Sequence, residues 1–283
     1  MDKFLQEINP NLRFKHEYHS LRVADRLSKR ISQEKIEGKC GLNLTYEVRD
    51  GIVSHCGENY REYVLHADKT KTPDKINVVD HRSCMPFTLE ACLVRLVDKI
   101  AYVGRDIEDA IRAKMIAYTD ISREIREVLG STNGAMINTL VIDLIENSYG
   151  KPCIQLSQEC GEALRAMIEE NNAFIYQSEM IKQYEKNATN TIEGLFKILY
   201  QYTASIWEEL SSAGPADQEE ISEVALRKMS DSSENTVVRR LLRFIAEKGY
   251  GKHEVPPEQI VVDYIAGMTD GYALKTYEEL YWI

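Results

Sequence analysis

The segment from Leu89 to Asp106 carries side chains that suit chemistry on a phosphorylated ligand. On a helix with about 100° per residue, six of its polar side chains fall within an arc of roughly 120°. They are Arg95, Asp98, Lys99, Tyr102, Arg105 and Asp106. A carboxylate beside cationic groups offers oxygen ligands to a metal ion and positive charge to a polyphosphate. The same pattern is typical of an ordinary solvated helix face, and the spacing alone leaves both interpretations open.

Histidines supply further candidate metal ligands in this chain. They are His16, His19, His55, His66, His81 and His253. His16 and His19 lie one helical turn apart and are able to share a metal ion, but such a pair is also typical of a structural site. The sequence contains no zinc-protease, phosphate-loop, dinucleotide-binding or nucleophile-elbow motif. The main support for those enzyme classes is therefore missing.

Apolar residues at helical spacing predict a mostly α-helical fold that positions these groups. A first helix is expected from Glu17 to Ile31, and a second begins near Asn43. The pattern is lost between residues 67 and 87, which predicts a long surface segment. The hydroxyl of Thr88 is suited to cap a helix that runs from Leu89 to Met115, in which Leu93, Leu96, Val97, Ile100 and Val103 form the apolar side.

The second half of the chain continues with helical patterns. A glycine-rich break at residues 130–134 is followed by an apolar run, and Ser157 is suited to cap the next helix. Further helices are expected at Asn187–Leu210, Glu234–Lys248 and Pro256–Gly271. No internal repeat and no alternating strand pattern occurs. We therefore expect one helical unit over residues 1–283.

Four phrases occur in a fixed order along the chain. They are Phe14–Val23, Gly41–Ile52, Thr88–Tyr102 and Asp263–Asp270. Together they resemble the bacterial dGTP triphosphohydrolases of the HD superfamily, over about residues 12 to 276. The resemblance implies an all-α, HD-domain-like assembly that is incomplete at its N-terminus. Residues 1–130 would form the remainder of the HD-like core, including the Asp98 helix, and residues 131–283 a C-terminal helical region.

The resemblance also implies roles for individual residues in a metal-dependent phosphohydrolase. Such an enzyme cleaves a deoxynucleoside triphosphate into the nucleoside and tripolyphosphate. Asp98 matches the last ligand of a divalent cation, Mg or Mn, and Lys99 matches a residue that contacts the phosphates. Tyr102 matches a residue that packs on the deoxyribose, and Asp106 matches one that reads the 3′-hydroxyl. Further candidates that line the site are His16, His19 and Arg105.

One part of the family pattern is not found in these residues. In that family an H…HD set supplies the other cation ligands upstream of the Phe14 phrase, and no His-Asp pair occurs here. Asp98 is then one of four expected ligands, so we expect little or no triphosphohydrolase activity from the chain alone. We expect it to associate with itself or with a chain that carries the HD motif. The alternative is a non-catalytic oligomerisation module or a degenerate remnant of the family.

The charge and the cysteine content of the chain limit the classes of binding partner and of cellular location that it suits. With 45 acidic and 35 basic side chains the formal charge is −10, which argues against non-specific binding to duplex DNA. The six cysteines form no C-x-x-C pair, and no apolar run approaches the roughly 20 residues that span a bilayer. These features predict a cytoplasmic protein that does not enter a membrane. The small-molecule partner that the family resemblance implies is a deoxynucleoside triphosphate.

Overall fold

The computed structural model describes residues 1–28, 41–56, 62–72, 76, 85–212, 223–250 and 255–281. Within these ranges the fold is almost entirely helical, which confirms the all-α class. The helices are α1 Asp2–Ile8, α2 His16–Arg22, α3 Tyr46–Ser54, α4 Leu89–Arg112, α5 Arg123–Leu129, α6 Asn133–Ser148, α7 Gln158–Asn171, α8 Glu179–Ser212, α9 Glu223–Ser232, α10 Thr236–Lys248, α11 Pro257–Ala266 and α12 Asp270–Tyr281. Two-residue strands, β1 Val64–Leu65 and β2 Ile154–Gln155, pair antiparallel.

The chain divides into two compact units. The first contains residues 1–15 and 183–283, and the second contains residues 16–182. The division expected near residue 130 lies inside the second unit, because Leu129 of α5 and Met136 of α6 are buried in the same core. No single helix in the described ranges has both the length and the apolar character to cross a bilayer. Helices α5 and α6 reach that length and apolar character only when they are taken together, and a bend of 61° separates them.

Helix α4 is the central element of the second unit. Its buried side chains include Cys92, Leu96, Ile100, Val103 and Ile107, and they pack in one core with α5, α6 and α7. The hydroxyl of Thr88 accepts a hydrogen bond from the Ala91 amide at 3.1 Å, so the predicted N-cap is confirmed. Ser157 caps α7 in the same way, through the amide of Cys160 at 3.2 Å.

A π-helical turn, Val23–Leu27, follows α2 in place of the regular helix that the sequence predicts. Leu21, Ala24 and Leu27 are buried as expected, whereas Ile31 lies outside the described residues. Gly41 passes this turn with φ +86°, and a Cβ there would lie 2.0 Å from the carbonyl oxygen of Asp25. Only glycine fits so close to the backbone, which explains the first residue of the Gly41–Ile52 phrase.

Helix α3 is held by charged contacts from the same phrase. The Arg49 guanidinium binds both carboxylate oxygens of Asp25, with its shortest contact at 2.8 Å. The buried Asp50 carboxylate pairs with Lys71 and accepts a hydrogen bond from the Phe87 amide at 2.7 Å. Asp50 thereby joins α3 to both described ends of the long segment between residues 67 and 87.

The first unit contains α1, most of α8 and the four C-terminal helices. The helix predicted from Pro256 to Gly271 is two helices, because α11 ends at Ala266 and α12 begins at Asp270. Helices α1, α9 and α12 were not predicted. The buried Asp263 carboxylate accepts hydrogen bonds from Tyr250 and Gln259, so the Asp263–Asp270 phrase has a structural part in this unit.

Candidate functional site

Helix α4 carries the predicted polar arc, but its buried face differs from the predicted apolar side. Leu93 and Val97 are 39% and 36% exposed, although the spacing assigned them to the interior. Arg95 and Lys99 are 1% and 4% exposed, although the spacing assigned them to a polar face. The helix is thus turned by roughly 60° relative to its apolar stripe. As a result, part of the polar arc lies inside the protein.

Arg95 and Lys99 form a buried cationic pair on α4. The Arg95 guanidinium lies 3.8 Å from the Glu62 carboxylate and donates to the Ser54 carbonyl at 3.4 Å. Burial lowers the pKa of Lys99 below its ordinary value of 10.5, and the nearby Arg95 lowers it further. Glu62 and Asp98 act in the opposite direction. Burial of two cations is costly in a free protein, and anionic ligands commonly bind where such charge is already in place.

Asp98 is exposed and directly precedes Lys99 on α4. Among the described residues, no group of three side chains able to bind a common ion includes Asp98. A magnesium or manganese site needs several oxygen ligands in a defined geometry, and one carboxylate does not provide them. The described residues therefore do not fit a complete site for the cation that the resemblance implies.

Tyr102 lines a cavity of about 430 Å³ between α4 and the end of α7. The other lining residues are Ile168, Glu169, Asn171, Asn172 and Tyr176. Tyr176 donates a hydrogen bond from its hydroxyl to the Asp106 carboxylate. Burial raises the pKa of Asp106 above its ordinary value of 3.8, while the bond from Tyr176 lowers it. Tyr176 thus lines the same cavity as Tyr102 and donates a hydrogen bond to Asp106, whose carboxylate is not itself a lining residue.

The wall of this cavity opposite α4 is a second π-helical turn, Asn172–Tyr176. The buried Asn171 amide nitrogen donates to the carbonyl oxygen of Val103 at 3.0 Å, which fastens this turn to α4. Single π turns inside helices occur often at functional sites, because the extra residue redirects side chains. Here the turn directs the Tyr176 hydroxyl to Asp106.

The remaining candidates lie elsewhere. Arg105 is exposed and pairs with Glu108 and Asp109 on its own helix, and it does not line the cavity beside Tyr102. His19 is half-buried on α2. His16 lies close to His55 and Cys56 rather than sharing a ligand group with His19. His81 and His253 are outside the described residues.

Sequence reasoning missed Tyr176, Asn171 and Asn172. Tyr176 is 70 positions from its partner Asp106, so no local spacing connects the two. The paired asparagines at the end of an amphipathic helix are ordinarily read as a helix terminus. Only the packing of α7 against α4 identifies them as cavity residues.

The comparison with known proteins agrees with the sequence phrases. Residues 154–279 match the family described as phosphohydrolase-associated domain. A deoxyguanosinetriphosphate triphosphohydrolase-like protein of Caldanaerobacter subterraneus is 32% identical over 271 residues, covering 95% of this chain and 58% of that protein. Proteins with the same name from Clostridium perfringens and Clostridium tetani are 30% and 28% identical, covering 95% and 99% of this chain.

The chain spans about three fifths of the length of these relatives: 58%, 60% and 63%. The matched region includes the α4 segment and the cavity described above, since it extends over nearly the whole chain. The resemblance found in the sequence is confirmed: over nearly its whole length this chain is homologous to the deoxyguanosinetriphosphate triphosphohydrolase-like proteins.

Proposed function

We propose that this chain forms the sugar- and phosphate-binding part of a dNTP triphosphohydrolase of the dGTP type. In that reaction water attacks the α-phosphorus, the bond to the 5′-oxygen breaks, and the products are a deoxynucleoside and tripolyphosphate. The relatives carry the name of this activity, and the chain matches about three fifths of their length. A cytoplasmic location, expected from the cysteines and suited to a nucleotide substrate, is part of the proposal.

The observation that carries the proposal is that Tyr102 and Tyr176 line one cavity, and that the Tyr176 hydroxyl donates to the Asp106 carboxylate. The cavity volume of about 430 Å³ falls within the range of roughly 300–1,000 Å³ that small-molecule sites occupy. A tyrosine ring offers a flat apolar surface to a sugar. A carboxylate accepts several hydrogen bonds at once, so Asp106 is able to accept from a 3′-hydroxyl while it keeps the bond from Tyr176.

The phosphate side of the site would lie beside Lys99 and Arg95. The positive charge of the Arg95 guanidinium is already in place before ligand binds, so it stabilises an incoming polyphosphate without reorganisation. The net charge of −10 makes this local cationic pair more important, because the rest of the chain repels a nucleotide.

Completion of the cation site would require ligands in addition to Asp98. We propose that they come from a polypeptide that carries the H…HD motif and docks on the exposed side of α4. That side presents Leu93, Val94 and Val97, which are 39%, 54% and 36% exposed, immediately beside Asp98. An apolar helix face next to a ligand residue fits a protein contact better than a solvated surface.

The first experiment measures binding of dGTP and of its 3′-deoxy analogue, dideoxy-GTP, to the purified chain by equilibrium dialysis. Wild-type protein should prefer dGTP by roughly 10- to 150-fold, since a hydrogen bond to a charged group contributes roughly 1.5–3 kcal/mol. Asp106→Ala should remove this preference, and Tyr176→Phe should weaken it. The Tyr149→Phe variant is the matched control, because Tyr149 is 88% exposed on the surface of the same unit.

The second experiment follows tripolyphosphate release. The chain alone with Mg or Mn should release none, and co-expression with the part of the Caldanaerobacter relative that the chain does not match should restore release. Asp98→Ala should abolish the restored activity. The proposal is wrong if dGTP binds neither the chain nor the co-expressed pair, or if binding is insensitive to both Tyr102→Ala and Asp106→Ala.

A second candidate function is a non-catalytic module that associates with itself. The observation that favours it is an apolar group at the end of α6, where Ile142, Ile145 and Tyr149 are 46%, 58% and 88% exposed. Light scattering coupled to size exclusion tests it. A dimer that dissociates in Ile145→Lys, combined with no nucleotide binding, would favour this module over the enzyme part.

A further inference from the structure

A second group of ligand-type side chains lies at the meeting of α2 and α3. His16 is the first residue of α2, and His55 and Cys56 directly follow α3. The Cys56 sulfur is 2.9 Å from Nε2 of His16 and 3.1 Å from Nε2 of His55. The ligand atoms of all three side chains lie within 4.8 Å of one another. No sequence motif connects them, because His16 and Cys56 are 40 positions apart.

Both imidazole rings are oriented as in metal-binding histidines. Nδ1 of His55 lies 2.7 Å from the carbonyl oxygen of Ile52, which sets this nitrogen as the donor. Nδ1 of His16 faces the Glu17 carboxylate at 3.5 Å. A donor proton on Nδ1 leaves the lone pair on Nε2, and in both rings Nε2 is the atom that faces the sulfur. Metal-bound histidines usually have such an oxygen partner on the second ring nitrogen.

The surroundings add negative charge. His55 lines a cavity of about 760 Å³ whose wall includes two carboxylates, those of Glu47 and Glu90. The Glu17 carboxylate lies 3.5 Å from Nδ1 of His16, the histidine of the cluster that does not line this cavity. The Glu17 carboxylate favours a cation over an anion beside His16.

We propose that His16, His55 and Cys56 bind one divalent ion of the zinc class. Two imidazole nitrogens and a thiolate suit zinc or cobalt, whereas magnesium and calcium prefer oxygen ligands. The sulfur–nitrogen separation in a tetrahedral zinc site is about 3.5 Å, so the side chains need to part by roughly half an ångström. Three protein ligands leave a fourth position for water or for a small ligand. The site uses none of the residues of the proposed nucleotide site, and it holds whether or not the chain takes part in hydrolysis.

The experiment titrates cobalt(II) into the reduced, metal-free 283-residue chain and records its absorption spectrum. We expect one cobalt per chain, the visible bands of a tetrahedral ion, and a near-ultraviolet charge-transfer band that reports a sulfur ligand. Zinc should displace the cobalt. Cys56→Ser should remove the charge-transfer band, and His55→Gln should weaken binding by at least about tenfold.

Two control variants locate the ion. His66→Gln removes an exposed histidine of the same unit, and Asp98→Asn removes the candidate ligand of the proposed enzyme; both should keep the full spectrum. Circular dichroism checks that each variant is folded. As a measurement independent of cobalt, zinc should protect Cys56 from alkylation as read by mass spectrometry. A spectrum without the sulfur band, a band that survives Cys56→Ser, or equal alkylation of Cys56 with and without zinc would overturn the proposal.

Discussion

At the residue scale, Asp106 shows how the fold changes what a side chain is able to do. On the sequence it is one acidic residue among several on α4. In the structure it accepts a hydrogen bond from Tyr176, and burial raises its pKa. A carboxylate in this position is held in place before a ligand arrives, which favours selective recognition of a hydroxyl group.

The raised pKa of Asp106 predicts how the free energy of unfolding depends on pH. The folded state binds the proton of Asp106 more tightly than the unfolded state does. Ionisation of Asp106 therefore lowers the free energy of unfolding, and this loss develops as the pH rises from 3.8 through the raised folded pKa. Asp106→Asn keeps an acceptor for Tyr176 and removes this loss. We expect the variant to exceed wild type in free energy of unfolding at pH 7, and the difference to vanish as the pH falls towards 3.8.

Urea unfolding of both proteins at pH 7 and pH 4 measures that difference. Glu124→Gln is the control, since Glu124 is an exposed carboxylate of the same unit and should shift stability by less than about 0.5 kcal/mol at either pH. A variant that is less stable than wild type at pH 7 would mean that the Tyr176 bond outweighs the burial of the charge.

At the element scale, the break between α5 and α6 depends on one glycine. Gly130 has φ +99° and ψ 175°, a region that essentially only glycine occupies. A Cβ at this residue would also lie 2.8 Å from Cβ of Ala135. Gly134, four residues later, is helical and has no atom within 4 Å of an added Cβ.

These two glycines form a matched pair for mutation. Gly130→Ala should lower the free energy of unfolding by about 2 kcal/mol, from backbone strain and the contact with Ala135. Gly134→Ala should leave stability unchanged or raise it by up to about 1 kcal/mol, because alanine favours the helix. Denaturant titration of the two variants and of wild type measures these differences in the free energy of unfolding. Equal stabilities would show that the loop adjusts freely and that the glycine-rich break has no fixed geometry.

At the scale of the whole molecule, the exposed apolar side of α4 predicts where another polypeptide binds. If the docking proposed above is right, Val94→Lys together with Val97→Lys should prevent association with the co-expressed part of the Caldanaerobacter relative. A lysine desolvated against an apolar surface disfavours the complex, while both positions are exposed in the chain alone, so its stability should change little.

Sedimentation velocity of the mixed polypeptides measures this effect. Ile145→Lys places the same charge on α6, where the side chain is 58% exposed, and should leave that association intact. Loss of association in Ile145→Lys but not in the α4 variant would assign the contact to α6 instead.

Local patterns in the sequence were sufficient for the helical class and for several helix starts. Thr88 and Ser157 cap α4 and α7 as predicted, because a cap depends on a residue and the three that follow it. The Leu21, Ala24 and Leu27 face is likewise buried, since it repeats at helical spacing. The sequence prediction missed α1, α9 and α12, of which α12 follows α11 after only three residues.

What the sequence by itself determined, then, is the class of fold, the resemblance carried by four phrases, and the residues of the α4 arc. Tertiary packing alone decided which side of α4 is buried, because the helix contacts α5, α6 and α7 through a face turned away from its most apolar stripe. The same packing joined Tyr176 to Asp106 and gathered His16, His55 and Cys56. Such groups depend on contacts between residues 40 to 70 positions apart, and periodicity within one helix holds no information about its neighbours.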